Sequence, residues 1–333
     1  MLAAAIEPNP ARAAEVAEKY AIPVFASPEK LLAADLKLQA ASVAVPTVHH
    51  HETALALLDG GLDLLIEKPL AASLAQADEI IALAGKRERL VQVGHLERFN
   101  PAIIMVEPRL RRPMFFESHR LSIFTPRALD VDVVLDLMIH DLDIVLRFAK
   151  SEVREVRAVG LPILSPNVDI ANVRVEFASG CVANFTASRV STERVRKLRF
   201  FEPRQYVSID YARQDLLVIG LDSGIPPAIA AAIASGQMDA AALAKLAAAA
   251  SHAAAGPGAA LGPGLSFSKP PVTPGEPLRL ELESFVDAVR TRREPRVTAR
   301  QGRAALELAL AIQAAMVAHA DRAGLHDFFS AGL

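Results

Sequence analysis

The chain has 333 residues, 52% hydrophobic and 22% charged, and 36 Lys+Arg against 38 Asp+Glu give a formal charge of −2. These values exclude a disordered chain and offer no electrostatic reason to bind nucleic acid or an anionic membrane. One cysteine, Cys181, excludes a disulfide framework and fits a reducing, cytoplasmic setting. No uninterrupted apolar run reaches the roughly 20 residues that span a bilayer, so no membrane insertion is expected. The opening M-L-A-A-A-I-E-P-N-P lacks the basic start of a secretory signal.

Leu2 to Ile6 reads as a short strand closed by Glu7-Pro8-Asn9-Pro10, and Arg12 to Tyr20 as a helix. An acid at a strand end, ahead of a helix, is where a dinucleotide fold holds a ribose, and it favours NAD over NADP. Such an acid normally follows G-x-G-x-x-G by about 20 residues; here nothing precedes it. In the strand order 3-2-1-4-5-6 the first strand is central, so its absence predicts a gap flanked by unpaired ladder groups. The expectation is a natural start upstream by about one βα unit of roughly 30 residues.

Ala40 to Val45 is the next buried strand, followed by Pro46-Thr47-Val48-His49-His50-His51-Glu52. Adjacent histidines share no helical face and no ligand-spaced carboxylates or thiols accompany them, so no metal site is expected. Thr47 or a neighbour is a candidate cap for a helix from Glu52 to Leu58. Leu62 to Ile66 reads as a buried strand that ends in Glu67-Lys68-Pro69. Glu67 and Lys68 then lie at the carboxyl edge of a parallel sheet, where open α/β folds place ligands. Lys68 can serve as a point charge or, desolvated, in proton transfer; a surface Glu–Lys pair before a turn is the plainer alternative. Ser73 and Gln76 form a capping box for a helix to about Gly85, and Leu90 to Val93 is another strand. In the following segment, Gly94 to Pro101, Arg98 suits a phosphate or sugar hydroxyls, with a loop of solvated charges as the alternative.

Asp132 to Phe148 reads as an apolar helix with one narrow polar stripe of Asp132, Asp136, His140, Asp143 and Arg147. Acids at i−4 and i+3 can orient the His140 imidazole and raise its basicity, as a general base requires. Val168 to Phe177 and Cys181 to Val190 alternate around Ser179-Gly180, a hairpin signal, with Cys181 in a packing role. Further strands are Lys197 to Phe201, Tyr206 to Tyr211 and Leu216 to Ile219. Residues 223–277 are Ala-, Pro- and Gly-rich and read as a mobile insertion with a short Ala-rich helix. Amphipathic helices around Leu282 to Val289 and from Gly302 to Ala318 close the chain.

E-K-P after an apolar strand and D-x-x-x-H on a helix, with these segments in this order, resemble the Gfo/Idh/MocA oxidoreductases. The resemblance runs from Ala3 to about Asp215 and from Leu280 to about Ala318. It implies an α/β protein with two domains. Residues 1–101 would be an N-terminally truncated Rossmann-type doubly wound parallel sheet; residues 102–333 would be an α+β domain with a mostly antiparallel sheet. It also implies that Lys68 lies beside the nicotinamide and the reacting carbon of a sugar or cyclitol, and that His140 accepts the hydroxyl proton while Asp136 orients the site. P-T-x-x-H places Pro46, Thr47 and His50 near NAD together with Glu7, Glu67 and Lys68, and Arg98, Asn100, Asp136 and His140 near the substrate. Ser188 to Glu202 and Tyr206 to Tyr211 resemble the subgroup that oxidises UDP-N-acetylglucosamine at carbon 3. Arg189, Arg194, Arg196, Lys197 and Arg199 could meet its diphosphate, or simply guard strand edges. Related enzymes use the second-domain sheet as a contact between copies, implying a homo-oligomer. Two other expectations stand beside this one: an inositol or hexose dehydrogenase of the same family, and a non-catalytic sugar-nucleotide binding or scaffold protein.

Overall fold

A computed structural model describes residues 1–125, 131–221 and 265–325. It forms two compact units, Met1–Leu96 with Leu278–Glu307, and Glu97–Pro277 with Leu308–Leu333. The boundary therefore falls after residue 96, not 101, and residues 278–307 belong with the first unit. Val297 and Gly302 explain that return: Val93 N–H donates to Val297 O at 3.0 Å, and Gly302 lies so close to Val93 that a Cβ would sit 2.6 Å from its methyl.

In the first unit β1 (Ala5–Ile6) pairs in parallel with β2 (Val24–Phe25) across α1 (Pro10–Tyr20). The Asn9 side chain accepts from Ala11 N–H and Arg12 N–H, and Pro10 opens the helix where its missing N–H costs nothing. β2 and α2 (Pro28–Ala33) were not foreseen, because two residues of strand are too few for periodicity to register. A second sheet has the order β3 (Ala40–Val43), β4 (Asp63–Glu67), β5 (Val91–Gly94), all parallel. Its crossovers are α3 (His50–Asp59) and α4 (Leu74–Lys86). Gln76 N–H donates to Ser73 Oγ as expected, while the Gln76 carboxamide accepts from Ala72 N–H, one residue before the anticipated partner. β1–β2 and β3–β4–β5 are separate sheets, so the predicted gap falls between β1 and β3. Leu64, Leu65 and Ile66 on β4 are at most 1% exposed, each contributing about 1.5–3 kcal/mol of burial.

In the second unit an eight-stranded sheet runs β13-β12-β11-β10-β6-β9-β8-β7. The strands are β6 (Phe115–Leu121), β7 (Val153–Leu161), β8 (Ile170–Phe177), β9 (Val182–Ser188), β10 (Val195–Glu202), β11 (Gln205–Asp210), β12 (Asp215–Leu221) and β13 (Leu265–Ser268). β6 and β9 pair in parallel and the rest antiparallel. β6, which occupies the middle of the sheet, and β7 were missed by the sequence reading. Helices α5 (Pro101–Val106) and α6 (Ile139–Ala149) complete the unit, and Phe148 of α6 meets Phe200 of β10 edge-on at 6.1 Å. β13 lies within the expected insertion, 223–277; its residues 223–264, with the expected Ala-rich helix, fall outside the described residues. Cys181 is 1% exposed, and burial pushes its thiol up to about 11, which suits packing and not nucleophilic chemistry.

α7 (Pro277–Thr291) and α8 (Ala299–Ala323) close the chain. Among the described residues, α8 alone is long and apolar enough by composition to cross a membrane. One face of it packs inside the protein, where Leu306, Ala309 and Ile312 are fully buried and Met316 fills the space over Gly160, while Val317 is exposed.

Candidate active site

In the first unit the candidate residues lie at the carboxyl ends of β3, β4 and β5. Glu67 is the last residue of β4 and pairs with Gly94 of β5. A Cβ at Gly94 would stand 2.9 Å from a Glu67 carboxylate oxygen, so glycine makes room for that carboxylate. Lys68 follows, half-buried, and the Lys68–Pro69 peptide is cis. Glu7 stands at the end of β1, half-buried, and accepts from Asn9 N–H at 2.8 Å.

The three histidines diverge. His49 Nδ1 lies 2.6 Å from Glu52, His51 Nε2 lies 2.8 Å from Glu79, and His50 is 1% exposed. His50 Nδ1 reaches the Pro69 carbonyl at 2.8 Å and Nε2 reaches the Val45 carbonyl at 2.9 Å. It therefore straps the β3 end to the turn that follows Lys68. Thr47 is corrected as a helix cap: it opens a single 3₁₀ turn, Thr47–His49, and α3 starts without a side-chain cap. A neutral imidazole donates to one of the Pro69 and Val45 carbonyls, so His50→Leu removes that donor and should cost about 1–3 kcal/mol. Thermal unfolding of the full chain measures this; an unchanged midpoint would show that the strap carries no energy.

In the second unit the candidate residues lie on and before α6. It is preceded by a π turn, Val134–Met138, whose wider spacing alters the phase of the expected continuous helix. Asp132 caps this turn by accepting from Val134 N–H and Leu135 N–H, and its other oxygen accepts from Gln313 at 2.6 Å. Asp132 is thus an anchor and not part of a reactive stripe. Asp136 lies in the π turn and His140 at the start of α6, both half-buried.

What fixes α6 is a set of buried ion pairs that the sequence reading did not foresee. Arg120 on β6, 4% exposed, donates to both Asp141 oxygens at 2.7 and 3.0 Å and to Glu97 at 3.1 Å. Its guanidinium also lies 5.1 Å from the Tyr211 ring centre. Burial alone would lower the Arg120 pKa, but the carboxylates of Asp141 and Glu97 overrule it and raise it. Burial holds the Tyr211 phenol well above its ordinary value, and the Asp141 charge adds to this. The one available signal was an arginine at an inward position of β6, in the series Phe116, Ser118, Arg120.

Arg98 and Asn100, expected near the substrate, are buried among partners within the protein. Arg98 is 2% exposed and pairs with Asp143 at 3.4 Å, so Asp143 does not serve His140 as the spacing suggested. Asn100 is 1% exposed, caps α5 through Ala102 N–H, and donates to Glu97 and to the Tyr211 carbonyl. Arg189 is 4% exposed, paired with Asp169 at 2.9 Å, and donates to the Val131 and Val168 carbonyls. Burial works against the Asp169 charge. The Ser165 hydroxyl and the N–H groups of Ile163, Leu164 and Ser165 nevertheless hold its carboxyl below the ordinary range. Arg199 pairs with Glu117, while Arg194 and Arg196 stay exposed.

A family model described as an oxidoreductase family with an NAD-binding Rossmann fold matches residues 1–95. A Gfo/Idh/MocA C-terminal domain matches residues 102–204. A UDP-N-acetylglucosamine 3-dehydrogenase of Acidithiobacillus ferrooxidans is 37% identical over 229 residues, 68% of this chain and 72% of that protein. The scyllo-inositol 2-dehydrogenase (NAD(+)) of Bacillus subtilis is 25% identical over 200 residues, 56% of this chain and 58% of that protein. The solved structure of UDP-N-acetylglucosamine 3-dehydrogenase GnnA from Acidithiobacillus ferrooxidans is similar with a TM-score of 0.80 and 31% identity. It matches over 95% of this chain and 90% of that one.

Proposed function

Because this chain belongs to the Gfo/Idh/MocA family of oxidoreductases, we propose that it is a dehydrogenase that removes hydride from a sugar-nucleotide hydroxyl carbon, carbon 3 of UDP-N-acetylglucosamine. The observation that carries this reading is the 37% identity to an enzyme of that name. The cofactor is NAD, which when bound accepts the hydride. The residues present suit it in part: Glu7 at the end of β1 suits a ribose diol and repels a 2′-phosphate, while no G-x-G-x-x-G lies in the chain to hold a diphosphate.

In this reading His140 takes the hydroxyl proton of the substrate. Lys68 donates a hydrogen bond to the same oxygen and stabilises the negative charge that grows on it as the proton leaves. Asp136, one turn before His140, keeps the imidazole in its accepting orientation. Pro46, Thr47 and Glu67 shape the nicotinamide end of the pocket. The outer face of the second-unit sheet, where Phe201 meets Phe115 at 5.4 Å and Tyr206 at 5.2 Å, is the contact between copies. With its single thiol buried, the protein works in a reducing compartment, the cytoplasm.

A second reading is a sugar-nucleotide binding protein without catalysis. One experiment divides the two: NADH fluorescence titration of the full chain, followed by NAD reduction with UDP-N-acetylglucosamine, myo-inositol and free hexoses. Saturable NADH binding with turnover of the sugar nucleotide is the expected result. Sugar-nucleotide binding without NADH binding would establish the second reading, and turnover of inositol or hexose alone would replace the substrate.

A further inference from the structure

Behind the Glu67–Lys68 strand end lies a buried acid to which none of the chemistry above assigns a role. Glu281 on α7 is 1% exposed, and its Oε1 has no donor. Beside it, Gln92 of β5 is fully buried and donates its Nε2 to the Glu281 backbone carbonyl at 3.2 Å, while Gln92 Oε1 also has no donor. Strand register places Gln92 opposite Leu65 and Gly94 opposite Glu67, so Gln92, Gly94 and Glu67 share one face of the sheet. The missing Cβ of Gly94 leaves the Glu67 carboxylate on that same face. We propose that Glu281 is a positioning residue that carries a proton at neutral pH, keeps the Glu67–Glu281 pair at a single negative charge and so holds the Glu67–Lys68 strand end in its working geometry. The role of that strand end rests on the functional reading above; the proton does not.

Two arguments support it. Buried acceptors with no donor are costly, and a proton on Glu281 supplies the donor that this patch lacks. Two carboxylates facing one dry region cannot both ionise cheaply, and the proton stays on the more buried of them. Glu67 is half-buried and Glu281 almost wholly so. Burial, and then the charge of Glu67, push the Glu281 carboxyl up to about 8. The charge facing Glu281 from β4 is Glu67, and from β5 it meets the neutral Gln92. On α7 itself Arg279 and Glu283 pair with each other at the exposed surface.

The sign of the linkage follows. An unfolded glutamic acid titrates near 4.5 and the native Glu281 at about 8. Between these values the native state keeps a proton that the unfolded chain has shed, so Glu281 lowers stability progressively as pH rises and levels off above pH 8. Glu281→Gln, neutral at every pH, removes that dependence. The test follows thermal midpoints of the full chain from pH 6 to 9, for Glu281→Gln against the parent and for both in a Glu67→Gln background. It then compares the pH profiles of kcat. The expected result is an advantage of Glu281→Gln that grows with pH, shrinks when Glu67 is neutralised, and is accompanied by loss of the alkaline fall in kcat. A pH-independent midpoint difference would overturn the proton. The same difference in the Glu67→Gln background would overturn the coupling, and an alkaline limb common to parent and variant would overturn the positioning role. If the chain turns over no sugar nucleotide, the functional reading fails, while the midpoints still decide the state of the pair.

Discussion

Replacing Lys68 by alanine is expected to lower kcat by roughly 10²-fold or more, as does loss of a positioned proton-handling or charge-stabilising group. Binding should change far less, because Lys68 acts on charge that appears only as the hydroxyl proton leaves. The surroundings of Lys68 support this. The strand before it is buried, Glu67 is seated against Gly94, and His50 holds the Pro69 carbonyl after it. His140→Ala should cost a similar factor. Groups that act on one transition state are not additive, so the double variant should lose little beyond the worse single one. Steady-state NAD reduction with UDP-N-acetylglucosamine, together with NADH titration of each variant, supplies the numbers. Near-normal rates for both single variants would sink the mechanism.

The second large effect is structural. Arg120→Met leaves Asp141 and Glu97 buried without a counter-charge, a change that typically costs about 3–5 kcal/mol. The loss falls on the scaffold of His140, since Asp141 is its neighbour on α6 and accepts two hydrogen bonds from Arg120. Urea unfolding followed by circular dichroism should show a transition at markedly lower denaturant. Replacing Glu97, Arg120 and Asp141 together by apolar residues of similar size should recover much of the loss, because the unpaired charges, not the missing contacts, carry the penalty. An Arg120→Met protein as stable as its parent would show that water reaches the two acids after all.

Several parts of the fold were legible because their causes are local. The apolar run ending in Glu67-Lys68-Pro69 became β4, and Ser73 caps α4. Ser179-Gly180 turns β8 into β9 with Gly180 at φ +83°, a conformation that glycine adopts without strain. The split of the parallel strands into two sheets followed from topology alone, since the order 3-2-1-4-5-6 needs its first strand at the centre. The alternating face of β6 was visible in principle, but its inward arginine disguised a buried strand as a charged segment.

By itself, then, the sequence determined the family and the α/β class, because periodicity, caps and the E-K-P and D-x-x-x-H patterns are short-range. Only the tertiary structure decided which charged residues are buried and which partners they meet. Arg98, Asn100 and Arg189 each meet partners that no local pattern announces. Arg98 meets Asp143 at a separation of 45 residues, and Asn100 meets Tyr211 at 111. Glu281 lies 189 residues from Gln92. A buried charge must find its counter-charge wherever folding brings one, and no local pattern records that choice.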